Sequence, residues 1–158
     1  MILRNKLFQV GVVAIVALVT GPLFAGAASA QSPSLPFDTP TTVTGVESVC
    51  TGVGVSDEDG ARWAQYPIKI VIAGKEGQFL GGATLTVSRN GMPLTTVTCA
   101  GPWTLFKLTP GRYEISGNIN GEIQKQTVYA PATGQGRVIL RFLDRGGAVS
   151  PEYTLPMK

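Results

Sequence analysis

From residue 68 onward the chain alternates. Ile68, Ile70 and Ile72 are interleaved with Lys69, Val71 and Ala73, and Ala83, Leu85 and Val87 with Thr84, Thr86 and Ser88. Period two places successive side chains on opposite faces of a strand, so each run predicts a β-strand with one buried face. Lys75-Glu76-Gly77 separates the two runs as a turn. Arg89-Asn90-Gly91 follows the second, and Asn-Gly is the strongest short hairpin signal because both residues tolerate positive φ. Residues 95–99 form the partner strand, and 103–108 another short strand. Pro110-Gly111 has the residue choice of a type II turn. Residues 112–119 and 122–129 then make a second hairpin about Asn120-Gly121. The last strand is 137–143, with Val138, Leu140 and Phe142 on one face. A further short strand holding Cys50 lies within 46–55.

Between that strand and Ile68 the pattern changes. Ser56 can cap a helix, and Asp57, Glu58 and Asp59 fall where the helix dipole favours negative charge. One short helix is expected near 57–65, carrying Trp63 on its inner side and limited by Pro67. A bound cation is the other use of three acids, but a calcium loop needs more regularly spaced oxygens and a closing Glu. Continuous βαβ units are absent. About seven short strands separated by turn signals therefore predict an all-β chain: an antiparallel β-sandwich over residues 46–143. Residues 31–45, rich in Pro, Ser and Thr, read as a flexible N-terminal arm, and 144–158 as a flexible C-terminal tail.

The first thirty residues change the compartment. Arg4 and Lys6 precede an apolar stretch from Leu7 to Val19, Pro22 breaks any helix, and Ala28-Ser29-Ala30 is a small-x-small cleavage site before Gln31. This is the pattern of a cleaved secretory signal over 1–30. The alternative, an uncleaved anchor, has too short an apolar run to span a bilayer comfortably. No stable membrane span is expected after cleavage, and the periplasm is the expected location, with secretion as the alternative. Cys50 and Cys99 are the two cysteines. In an oxidising compartment such a pair is usually bridged. Two buried thiols or a redox pair are the alternatives, although the spacing is not C-x-x-C.

Charge and composition mostly exclude. Of 13 basic and 10 acidic residues, two bases and no acid lie in the leader, which leaves a mature domain of net +1. That balance makes no electrostatic case for nucleic acid. The chain has no histidine, so it has no Ser-His-Asp triad, Cys-His pair or His-ligated metal. No two carboxylates are spaced as an acid/base pair, and the glycines from Gly77 to Gly81 precede a strand rather than a helix, which leaves a phosphate cradle unsupported. No catalytic residue, metal or cofactor is expected. Trp63, Tyr66, Trp103 and Phe106 are the candidate ligand-binding residues, as a sugar or peptide platform, against a core role for each. Trp103 and Phe106 have opposite parity on one strand, so one of them faces outward or packs under a loop, and the outward one is the better site candidate.

Gly101-Pro102-Trp103, followed by Leu108-Thr109-Pro110-Gly111-Arg112-Tyr113 and Ile115, resembles the L-x-P-G-x-Y hallmark of carboxypeptidase regulatory-like domains, which are transthyretin-like sandwiches. The stretch from Gly52-Val53-Gly54 through Tyr66-Pro67-Ile68-Lys69-Ile70-Val71, continued by Gly82-Ala83-Thr84-Leu85-Thr86-Val87, looks like small exported bacterial proteins of this type. The likeness covers about residues 49–143. It implies a non-catalytic module with a binding or scaffolding role in the bacterial envelope, whose partner is an envelope protein or a glycan. A carbohydrate-binding module and an enzyme of unrecognised type are the alternatives. The resemblance carries no functional residue over. Hydroxyisourate hydrolases, an enzyme branch of the fold, need histidines and a C-terminal Tyr-Arg-Gly-Ser, and this chain has neither. Related adhesin domains form a Lys–Asn isopeptide bond beside an acid. Lys69, Glu114 and Asn118 supply the residue types, but no motif places them together.

Overall fold

The computed structural model describes residues 31–52 and 61–143. The expected signal segment, residues 57–60 of the expected helix near 57–65 and the expected tail lie outside the described residues. Among the described residues the chain forms nine strands: β1 (Thr41–Val43), β2 (Val46–Thr51), β3 (Ile68–Gly74), β4 (Ala83–Arg89), β5 (Met92–Cys99), β6 (Trp103–Phe106), β7 (Gly111–Ile119), β8 (Glu122–Ala130) and β9 (Gly136–Phe142). They build two sheets, one of five strands in the order β1-β2-β6-β3-β9 and one of four in the order β5-β4-β7-β8. The two faces that meet hold Ile68, Ile70, Ile72, Leu85, Val87, Phe106, Ile115, Leu140 and Phe142, all buried in one cluster. Alternation supplies these residues: every second side chain of β4, β7 and β9 points inward, and those between remain at the surface.

The hairpin signals act as expected. Asn90-Gly91 and Asn120-Gly121 join β4 to β5 and β7 to β8 with φ of 53° and 77°, and 50° and 88°, so both central residues are left-handed as a type I′ turn demands. The Pro110-Gly111 step differs from expectation. Gly111 has φ 148°, not the value near +80° of a type II turn, and leads straight into β7. Leu108 and Tyr113 still bury on either side of the step, and the Tyr113 hydroxyl donates back to the Thr109 carbonyl at 2.8 Å, closing the corner.

Two other features depart from the expected layout. β9 pairs with β3 in parallel, with Ile70 opposite Val138 and Ile72 opposite Leu140, so the five-stranded sheet is mixed. Of the expected helix, the described part holds helical Ala61 and Arg62, after which the chain turns through residues 63–65 before β3. The segment expected to be a flexible arm is docked on the sandwich. Leu35 is 4% exposed, its N–H donates to the Thr98 carbonyl at 2.9 Å, and Asp38 N donates to the Cys50 carbonyl at 2.9 Å. β1 follows within the same segment and turns into β2 through Thr44-Gly45. Burial of Leu35 and backbone pairing along β5 and β2 supply the free energy that composition alone did not show.

Cys50 and Cys99 form a disulfide, with Cα atoms 5.3 Å apart and both residues fully buried. It joins β2 of one sheet to β5 of the other. With the two cysteines separated by 49 positions in the sequence, the chain-entropy model gives a stabilisation of about 4 kcal/mol.

Candidate functional site

The four aromatic candidates fall in three places. Phe106 faces the main core and is fully buried. Trp63 and Tyr66 lie over the opposite, outer face of the five-stranded sheet, where they bury Val49 of β2 and Leu105 of β6 in a second cluster. Their rings meet edge to face at 5.9 Å. Gln135, just before β9, holds this turn down: its side-chain amide donates to the Trp63 and Tyr66 carbonyls, each at 2.9 Å. The Tyr66 hydroxyl donates to Glu47 at 2.7 Å, and Lys107 pairs with the same carboxylate at 3.5 Å. The bond from Tyr66, followed by the Lys107 charge, holds the Glu47 carboxyl below its ordinary range, while burial and the bond to Glu47 push the Tyr66 hydroxyl well above its own.

Trp103 is the outward member of the pair on β6, as parity requires, and it is half-buried. Lys69 of β3 places its ammonium 3.4 Å from the indole centroid, and Phe79 meets the ring edge to face at 5.9 Å. Gly52 lies so close behind it that a Cβ there would come within 2.8 Å of the ring. With Lys69 over one face and Gly52 against the ring skeleton, the indole has little free area for a sugar to stack on. Its Nε1 is buried without a hydrogen-bond partner among the described residues.

Around Trp103 the outer face of β3 and β9 has a definite chemistry. Phe79 is 50% exposed and Ile139 37%, above Val71 and Ala73, which are buried. Arg137 is the direct register partner of Lys69, and Arg141 that of Ala73. Arg137, Ile139 and Arg141 alternate with the core residues of β9 and are exposed. The ion pairs among the described residues are Lys107–Glu47 and Lys125–Glu114, so Lys69, Arg137 and Arg141 share a surface with no carboxylate partner. Burial first, and then the Arg137 guanidinium, lowers the affinity of Lys69 for its proton. The outer face of the four-stranded sheet also exposes apolar groups, Ile123 and Tyr129 of β8. There Thr84 meets Thr98 and Thr86 meets Thr96 across the strands at 3.0 Å, hydroxyl to hydroxyl.

Sequence reasoning named Trp103 but not Phe79, Ile139, Arg137 or Arg141 as its neighbours. The signal for three of these was present, since Arg137, Ile139 and Arg141 are the outward positions of a strand whose inward positions were recognised. Lys69 lies on the five-stranded sheet and Glu114 and Asn118 on the four-stranded one, so the structure does not bring the isopeptide residue types together. A separate groove of about 330 Å³ lies at one end of the sandwich between Pro67, Leu108, Pro110 and Pro131. Lys107 is the titratable residue in its lining, which holds no carboxylate, serine or threonine. No group of three or more His, Cys, Asp or Glu that could hold a metal ion occurs among the described residues.

No protein-family model matches the chain, and neither does any curated protein sequence. Among solved structures it is similar to "The Bacillus anthracis TIE protein", at 21% identity with a TM-score of 0.31 over 47% of this chain. The chain spans 16% of that protein's length.

Proposed function

We propose that this chain is an exported, non-catalytic β-sandwich module of the carboxypeptidase regulatory-like, transthyretin-like type, which binds an envelope component through the outer face of its five-stranded sheet. The observation that carries this reading is the cluster of three cations around exposed apolar groups on the outer face of the five-stranded sheet. The outer face of the four-stranded sheet also exposes Ile123 and Tyr129, but there Lys125 is paired with Glu114 and threonine hydroxyls satisfy one another. On the five-stranded sheet Phe79 and Ile139 are exposed beside three cations that have no acidic partner among the described residues. Exposed apolar groups rimmed by uncompensated charge mark an interaction surface. The buried inter-sheet disulfide supports an oxidising location, for which we favour the periplasm. The corner closed by Tyr113 and Thr109 supports the family assignment.

The test is capture of partners from an envelope extract on immobilised protein of residues 31–158. Wild type is compared with Ile139→Glu and with Thr86→Glu on the other sheet. The expected result is a bound component lost with Ile139→Glu and retained with Thr86→Glu. Equal retention by both variants refutes the assignment of the face.

A further inference from the structure

The cations on β9 and β3 are spaced in a way that narrows the chemistry of the ligand. Arg137 and Arg141 are four residues apart on one face of β9, which at about 3.3 Å per residue separates them by about 13 Å. Lys69 is beside Arg137 on the neighbouring strand, about 4.8 Å away between backbones. Like charges set side by side repel, and no described carboxylate offsets them. One end of the strip therefore has a two-cation anchor and the other has Arg141, which also donates to the Gly74 carbonyl at 3.4 Å. Between the ends, level with buried Val71, lies exposed Ile139, and Phe79 is exposed across β3 at the level of Arg141. A small anion can satisfy one end only. An extended ligand with repeated negative charges and apolar surface between them satisfies the whole strip.

Resting on the reading above, we propose that this strip binds a linear acidic polysaccharide, a chain of carboxylate-bearing sugar rings lying along β9. Its carboxylates meet the Lys69–Arg137 pair and Arg141, where guanidinium forks match carboxylate geometry. The C–H faces of the rings between them lie on Ile139. Single-stranded nucleic acid fits less well, because it needs open aromatic faces for its bases and the indole here is covered by Lys69.

The test uses the oxidised protein of residues 31–158 in affinity electrophoresis through gels containing polygalacturonate, with titration calorimetry on the same polymer. Retardation by polygalacturonate, weakening as salt rises, is expected, with none by neutral dextran. Arg137→Gln/Arg141→Gln is expected to weaken binding tenfold or more. Lys125→Gln, on the other sheet and paired with Glu114, is expected to leave it unchanged. Both arginine side chains are exposed, and an unchanged thermal midpoint confirms that the variant is folded. Equal retardation by dextran overturns the proposal, as does binding of polyglutamate or oligo(dT) as tight as that of polygalacturonate. An unaffected double variant also overturns it. If polygalacturonate fails to bind while envelope capture still depends on Ile139, this proposal falls and the binding module stands. If capture is also independent of Ile139, both fall.

Discussion

Thr104→Val is expected to stabilise the protein. Thr104 is in the middle of β6, opposite Cys50 on one side and Ile70 on the other, and it is fully buried. Its hydroxyl has no hydrogen-bond partner among the described residues. A buried hydroxyl left unpaired costs about 1–3 kcal/mol, because water satisfied it in the unfolded chain. Valine has nearly the same shape, removes that penalty and adds a methyl worth about 0.8 kcal/mol where it is well buried. Allowing for imperfect repacking, the expected gain is about 1–2 kcal/mol, or about 4–8 °C in melting temperature for a domain of this size. Thr95→Val is the matched control. Thr95 is 3% exposed, and its hydroxyl donates to the Val43 carbonyl at 3.1 Å. The same chemical change there removes a made bond and is expected to cost about 1 kcal/mol. Urea and thermal unfolding of residues 31–158, with the disulfide intact, measure both. The two variants must move in opposite directions with unchanged urea m-values. A Thr104→Val protein that melts below wild type refutes the reasoning, and so does a pair that shift together.

Other sites give independent checks. Replacing both cysteines, Cys50→Ala/Cys99→Ala, is expected to lower unfolding stability by about 4 kcal/mol through release of the cross-link; a loss under about 1 kcal/mol in urea unfolding counts against the bridge as a main stabiliser. Gly117→Ala on β7 is expected to cost about 1–3 kcal/mol by overpacking, because a Cβ there would lie 2.8 Å from Leu140 and 3.1 Å from Phe142; thermal unfolding unchanged from wild type contradicts this. Tyr66→Phe tests the bond to Glu47. The carboxyl is held below its ordinary 4.5, so its contribution is complete above that value and disappears as pH falls through the lowered folded value. The melting-temperature gap between wild type and Tyr66→Phe is therefore expected to be widest near neutrality and to narrow below about pH 4; a gap independent of pH rules the coupling out.

The parts of the fold that were legible are those in which local sequence and tertiary packing agree. The isoleucines of β3 and the threonine-spaced strand β4 alternate without interruption, and both hairpins at Asn-Gly carry their own backbone signal. The parts that were not legible depend on partners distant in sequence. Nothing local distinguishes Leu35 from an exposed leucine in a Pro- and Ser-rich segment; its burial follows from pairing with Thr98. The turn at Thr44-Gly45 has positive φ at a threonine, a residue seldom chosen there, so β1 carried no hairpin signal. The parallel pairing of β3 with β9 likewise has no trace in either strand, since a buried parallel strand and a buried antiparallel one show the same inward residues.

The same distinction governs the site. Parity on β6 separated an outward Trp103 from an inward Phe106, because that question concerns a single strand. Whether Trp103 was free to stack on a ligand was a question about two strands, since the group covering it, Lys69, comes from β3. The charge of the strip was a question about β3 and β9 together. Overall composition gives a mature domain near neutrality and conceals the local imbalance. The acids Glu47 and Glu114 are engaged with Lys107 and Lys125, and among the described residues no carboxylate pairs with the three cations of the β3–β9 face beside exposed Ile139. A strand order that brings Lys69 beside Arg137 places like charges together at a cost to folding. That cost is offset when an anion lies between them, which links the parallel pairing of the edge strand to the binding role proposed for its outer face.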